Sequence, residues 1–215
     1  MSQSELLILG ATGATGRHVL SLAREAGFKI HLLLRDPGKL ADETDKTNVV
    51  EGDALDATIL TEAMPSGGLA ISCLGIGPKG PKAFYSDTAK AIVAATKAKS
   101  PKQVVVLSTL GTGSTEFRRT ALLSGMFKMM GVSWILDDRA REEGIFKQSG
   151  LPITVLQSCL LSNGKPKGRG TFFDPGEVPR LGVMGPMISR ADVAKNLLEA
   201  VQIDPPDAAV RCLLP

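Results

Sequence analysis

Short apolar runs alternate along the chain with stretches whose apolar residues recur at helical spacing, and glycines or polar clusters separate the two. Leu6-Leu7-Ile8-Leu9 opens the series as a buried strand, and Val19, Leu20 and Ala23 mark one face of a helix that Gly27 ends. The same reading predicts strands over 29–34, 48–51, 69–73, 103–107 and 151–156, with helices over 57–64, 85–99 and 134–148. Ser189 can cap a last helix whose first-turn dipole Asp192 favours, and Val210 to Leu214 closes the sheet. Strand and helix in regular alternation imply parallel strands joined by right-handed crossovers. The expected fold is α/β, one Rossmann-like doubly wound parallel sheet with helices on both faces, as a single domain over 1–215.

The densest signal lies between the first strand and first helix, at Gly10-Ala11-Thr12-Gly13-Ala14-Thr15-Gly16. Gly10 permits a tight turn, Gly13 lets backbone approach a pyrophosphate, and Gly16 lets the helix pack against the strand. The phosphates would rest on the helix N-terminus, against the backbone amides of Thr12, Ala14, Thr15 and their neighbours. The spacing is Gly-x-x-Gly-x-x-Gly, which departs from the Gly-x-Gly-x-x-Gly of many dehydrogenases. Arg35 ends the second strand where an NAD site carries an acid, and Lys39 stands one turn later. A guanidinium there suits a 2′-phosphate, so NADP(H) is expected over NAD(H). The alternative is that Arg35 and Lys39 form a solvated basic corner.

In such sheets ligands lie beyond the carboxyl ends of the strands, which nominates the residues directly after each strand. Asp53 and Ala54 come after the third strand; Asp53 either accepts from an adenine amino group or caps the next helix. Leu74 and Gly75 would let a ribose or pyrophosphate lie flat against backbone. Ser108 and Thr109 bring hydroxyls to the end of the central strand, and Gln157 to Leu160 completes the edge. Met126, Phe127, Met129, Met130 and Trp134 either wall a substrate pocket or belong to an ordinary amphipathic helix. The loop over 162–170 lacks periodicity and is expected to be a mobile flap.

At 215 residues and 43% apolar content the chain can bury a sizeable core. No apolar run is long enough to span a bilayer and no cationic leader precedes an apolar stretch, so no membrane association or secretion is expected. Cys73, Cys159 and Cys212 are scattered without metal-type spacing, which suits free thiols in a cytoplasmic protein with no metal. The net charge of +3, with one Trp and one Tyr, gives little reason to expect a nucleic-acid partner. A small-molecule substrate is the expected partner.

Across nearly its whole length the chain resembles the atypical short-chain dehydrogenase/reductase family, and within it most nearly the flavin reductase, or beta-type biliverdin reductase, branch. The resemblance is carried by the glycine loop with Arg35, by Gly52-Asp53, by Leu74-Gly75, by Asp137-Asp138 opening a helix that runs to Ser149-Gly150-Leu151, and by the segment from Ile188 to Ala194. It implies NADPH binding by a monomer or weak homodimer. Short-chain dehydrogenases usually pair Tyr-x-x-x-Lys on one helix; here Tyr85 precedes Lys90 at the wrong spacing and in the wrong element. That branch likewise relies on holding a flat acceptor against the nicotinamide. Arg139 replaces a histidine of the branch, and Ser158 and Cys159 replace a Pro-Pro-His. Arg139 would pair a cofactor phosphate or a substrate carboxylate. Cys159 would be a polarizable contact near the nicotinamide, or else a buried structural thiol. Proton transfer then falls to water, Ser108 or Thr109. Two functions stay open: an NADPH-dependent reductase of flavins, quinones or enones, and a non-redox NADP(H)-binding scaffold serving as a redox-sensing regulator or as an isomerase or cyclase.

Overall fold

The computed structural model describes residues 4–43, 47–168, 170–180, 185–203 and 208–215. In chain order the elements are β1 (Glu5–Leu9), α1 (Ala14–Glu25), β2 (Lys29–Leu34), β3 (Thr47–Glu51), α2 (Ala57–Ala63), β4 (Leu69–Ser72), α3 (Phe84–Lys99) and β5 (Gln103–Thr109). They continue with α4 (Ala121–Met129), α5 (Ser133–Ser149), β6 (Ile153–Ser158), β7 (Leu160–Ser162), β8 (Thr171–Phe173), β9 (Met187–Ser189), α6 (Arg190–Ala200) and β10 (Val210–Leu214). Eight strands form the main sheet in the order β3-β2-β1-β4-β5-β6-β10-β8, which begins with the 3-2-1-4-5-6 order of Rossmann folds. All its pairings are parallel except β10 with β8.

Alternation along β1 divides the core. Leu6 and Ile8 join Val19, Leu20, Val193 and Leu197 under α1 and α6, whereas Leu7 and Leu9 join Leu60, Ile92 and Phe146 under α2, α3 and α5. A strand covered on both faces needs an unbroken apolar run, which Leu6 to Leu9 supplies. The helices on both faces match the expected architecture.

Three parts differ from the sequence expectation. Val210 to Leu214 does not close the sheet, because β8 pairs outside it as an antiparallel edge strand. The stretch from Gly111 to Leu123, where the apolar pattern dissolves into Gly, Thr, Ser and Arg, is ordered as a 3-10 turn at Gly113–Arg118 followed by the start of α4. Asp137 and Asp138 lie inside α5, which starts at Ser133, rather than opening the helix.

That helix is polar in sequence yet turns acids inward. Asp138 accepts from the Tyr85 amide at 2.7 Å and the Ser86 amide at 3.4 Å, so it caps α3, whose own N-cap residue Ala83 has no side-chain acceptor to offer. Glu143 is buried and accepts from Gln157 Nε2 at 2.6 Å and the Ser114 amide at 3.0 Å, tying α5 to β6 and the 113–118 turn. Gln157, placed at the site edge by sequence, is consumed by this network and donates to the Thr112 carbonyl.

The 162–168 loop is tethered rather than a free flap. The buried Asp192 carboxylate accepts from the Lys167 amide at 3.0 Å, the Gly168 amide at 2.9 Å and the Ser189 hydroxyl at 2.7 Å, while Ser189 caps α6 through the Asp192 amide. Burial pushes the Asp192 carboxyl up, but the Lys167 amide, the Ser189 hydroxyl and the Gly168 amide outweigh it and hold it below its ordinary value. A depressed acid contributes stability that is present above the unfolded value and is lost as pH falls through the folded one, so the tether should persist below the ordinary aspartate range. Asp192→Ala leaves two amides without their acceptor and should cost about 1–3 kcal/mol. We expect trypsin to cut the Lys167–Gly168 bond much faster in this variant; an unchanged cleavage rate would show that the carboxylate does not anchor the loop.

Candidate functional site

The turn from β1 into α1 is built as the glycines demand. Gly10 has a φ of +78°, and a Cβ on it would stand 2.9 Å from the Cys73 carbonyl group. A Cβ on Gly16 would stand 2.1 Å from the Gly10 carbonyl oxygen, so close packing of helix on strand depends on its absence. Gly13 is the N-cap of α1 and brings no side-chain acceptor, so the first-turn amides are left to a ligand.

This turn lies midway along a cleft of about 380 Å³ that runs across the carboxyl ends of β3, β2, β1, β4 and β5. Gly10, Thr12, Gly13, Ala14 and Thr15 line it, as do Arg35, Lys39, Asp53 and Ala54 on one side and Leu74, Gly75, Ser108, Thr109 and Arg139 on the other. Gly16 acts from behind, through packing.

At the β2 end, Arg35 is exposed and no carboxylate among the described residues pairs with it. Lys39 lies 3.8 Å from Asp36, and the Lys39 carbonyl accepts from Arg17. Asp53 does not cap α2; Asp56 does, accepting from the Thr58 and Ile59 amides. One Asp53 oxygen accepts from the Leu55 amide at 3.0 Å.

At the β5 end the geometry leaves Ser158 and Cys159 outside the cleft lining and keeps Arg139 within it. Arg139 is engaged inside the protein. Its guanidinium donates to Glu142 at 2.8 Å, to the Leu107 carbonyl at 2.9 Å and to the Leu74 carbonyl at 3.2 Å, and it stacks 3.6 Å over the Tyr85 ring. It therefore ties together the ends of β4 and β5 and forms the floor of the cleft. Burial pushes Glu142 up to about 7, against the pull of Arg139. Ser158 is buried and does not line the cleft, and its hydroxyl donates to the Cys159 carbonyl. Cys159 is likewise absent from the cleft lining and instead lines an adjoining apolar recess.

Burial pushes the thiols of Cys73, Cys159 and Cys212 up to about 12, 11 and 12, so none is a thiolate nucleophile near neutral pH. Tyr85 is buried, and its hydroxyl accepts from the Ile76 amide. Lys90 pairs with Asp87 on the surface.

Ser108 behaves differently. It lines the cleft and is buried, yet its hydroxyl has no hydrogen-bond partner among the described residues. A buried polar atom left unpaired beside a cavity fits a polar group supplied by a ligand. Asp36, Phe84, Leu161 and Arg190 also line the cleft, although the sequence reading does not pick them out. Position relative to the strand ends could have flagged Asp36, directly after Arg35, and Arg190, the first residue of a helix. Phe84 and Leu161 carry no such signal.

The glycine turn, the bare helix N-terminus and the cleft across the strand ends define a Rossmann-type dinucleotide-binding protein. Residues 10–204 match the NAD(P)H-binding family model, and the chain belongs to that family. Among solved structures, it is similar to the anaerobilin reductase ChuY of Escherichia coli O157:H7, with a TM-score of 0.80 at 19% identity over 98% of this chain and 97% of that one. It is also similar to a wide-type short-chain dehydrogenase/reductase of Veillonella parvula in complex with NADP, with a TM-score of 0.77 at 18% identity over 100% and 95%. The oxidoreductase ylbE of Lactococcus lactis matches with a TM-score of 0.77 at 18% identity over 98% and 90%. At these identities the likeness is one of fold. No helix among the described residues is long and apolar enough to cross a membrane.

Proposed function

We propose that the protein is an NADPH-dependent reductase that delivers hydride to a flat, conjugated small molecule of the flavin, quinone or enone class. The observation that carries this reading is the unpaired Ser108 hydroxyl at one end of a cleft whose other end presents the exposed cation Arg35. The first-turn amides of α1 would hold the pyrophosphate, and Arg35 with Lys39 the 2′-phosphate. The second Asp53 oxygen would take the adenine amino group, while the Leu74-Gly75 backbone supports the ribose. Bound NADPH supplies two electrons and one hydrogen as hydride, and the acceptor gains a proton from water. Ser108 and Thr109 orient the carboxamide or the acceptor carbonyl and relay that proton. The protein would work in the cytoplasm as a monomer or weak homodimer, with no nucleic-acid or membrane partner.

A second reading is a non-redox NADP(H)-binding scaffold, a regulator or an isomerase or cyclase. It is favoured by the Tyr85 hydroxyl accepting from the Ile76 amide and by the Arg139 guanidinium donating to Glu142, which engages both groups within the protein. Following NADPH absorbance at high protein concentration with a panel of acceptors separates the two. Oxidation with at least one flat acceptor is the expected result; tight NADPH binding without oxidation would favour the scaffold.

A further inference from the structure

A second cavity of about 240 Å³ opens beside the cleft and shares two of its lining residues, Thr109 and Leu161. Its remaining walls are Phe127 from α4, Val132, Ile135 and Leu136 from the start of α5, and Cys159 and Leu160 from the β6–β7 junction. Among the described lining residues none is charged, and Thr109 contributes the one hydroxyl. The cleft alongside is the opposite, lined by Arg35, Asp36, Lys39, Asp53, Arg139 and Arg190.

Resting on the reductase reading above, we infer that this recess is the acceptor subsite and that it selects a compact, uncharged ring carbonyl of the quinone class over anionic acceptors. Three physical points lead there. An anion entering the recess would lose hydration and find no cation among its described lining residues, where Cys159 is held as a neutral thiol. The volume lies below the roughly 300–1,000 Å³ of sites for drug-sized ligands, which suits one or two fused rings. Thr109 stands at the junction of recess and cleft, so its hydroxyl can hold a ring carbonyl there while the apolar edge of the ring is buried.

The half-buried Trp134 adjoins Ile135 and is the only tryptophan, which provides a reporter of binding that does not need turnover. Protein saturated with NADP⁺ is titrated with menadione and with a naphthoquinone sulfonate while Trp134 fluorescence is monitored. Menadione should quench saturably, with the sulfonate at least about tenfold weaker. Ile135→Lys should reverse that order, and Phe127→Ala should weaken menadione while leaving the sulfonate unchanged, which keeps the test intact if the lysine variant does not fold. Equal affinities for the two quinones, or variants that move neither, would overturn the subsite. NADPH oxidation by the same acceptors is measured in parallel. Selective quenching without NADPH oxidation leaves the subsite standing and removes the reductase reading; reduction of both quinones at equal rates without saturable quenching does the reverse.

Discussion

Gly16→Ala is expected to weaken binding of both pyridine nucleotides by on the order of a hundredfold and to destabilise the protein. The added Cβ would stand 2.1 Å from the Gly10 carbonyl oxygen and 2.8 Å from the Ala11 Cα, and both are backbone atoms that no rotamer change can move aside. Relief requires α1 to withdraw from β1. That movement opens the packing of Val19 and Leu20 against Leu6 and Ile8, and overpacking of this kind costs typically about 1–3 kcal/mol. It also displaces the first-turn amides from the phosphates, and a misplacement of about 1 Å in a positioned site costs on the order of a hundredfold. Gly144→Ala is the control. Gly144 lies within α5 with nothing inside 4 Å of its would-be Cβ, so alanine there should stabilise by about 0.5–1 kcal/mol and leave binding untouched. Calorimetric titration with NADPH and NADH, together with thermal unfolding, reads both effects. Retained nucleotide affinity in a folded Gly16→Ala protein would mean that the β1–α1 turn does not seat the pyrophosphate.

The same geometry explains why so much of the cleft is legible in the sequence. A buried parallel strand needs a continuous apolar run, and a strand that meets a helix at van der Waals distance needs glycine, so Leu6 to Gly16 records its own structure locally. The strand-end rule then recovers Arg35, Asp53, Leu74, Gly75, Ser108 and Thr109, because topology places those positions at one edge whatever the side chain. Local pattern fails where long-range pairing decides the outcome. The inward acids of α5 are a case in point. Asp138, Glu142 and Glu143 are spaced as on a solvated helix, and the α3 amides opposite Asp138, Gln157 and the Ser114 amide opposite Glu143, and Arg139 on the same helix beside Glu142 help make their burial tolerable. Arg139 defeats a local reading for the same reason: its partners, the Leu74 and Leu107 carbonyls, lie 65 and 32 residues away in the chain. Edge strand β8 is only three residues long and pairs with the distant β10, so neither its length nor its composition announces a strand. Of the Met- and Phe-rich stretch only Phe127 lines the recess beside Thr109, while Met129 and Met130 are exposed.

Arg35→Ala should raise the Kd for NADPH by about a hundredfold while changing that for NADH by less than about twofold. Charge-assisted hydrogen bonds contribute about 1.5–3 kcal/mol, and a factor of 100 corresponds to about 2.7 kcal/mol, so one lost guanidinium–phosphate contact accounts for the whole effect. The side chain is exposed and, among the described residues, carries no ion pair, so its removal should leave folding unchanged. Lys39→Ala should act in the same direction but more weakly, because Asp36 at 3.8 Å already offsets part of its charge. Raising the salt concentration should weaken NADPH binding to the unmodified protein and have little effect on the Arg35→Ala variant, since the exposed contact is screened within a Debye length of about 8–10 Å. Asp36 supplies the opposing force. It lines the cleft beside Arg35, and a carboxylate at the end of the second strand is the group that would accept from a free ribose 2′-hydroxyl. Because one Asp36 oxygen accepts from the Gly38 amide at 3.1 Å and the other faces Lys39, the carboxylate is already engaged and the guanidinium governs selectivity. Equal weakening of both nucleotides in Arg35→Ala would transfer the guanidinium to the pyrophosphate or adenine. Tighter NADH binding in the same variant would identify Asp36 as the group that reads the ribose.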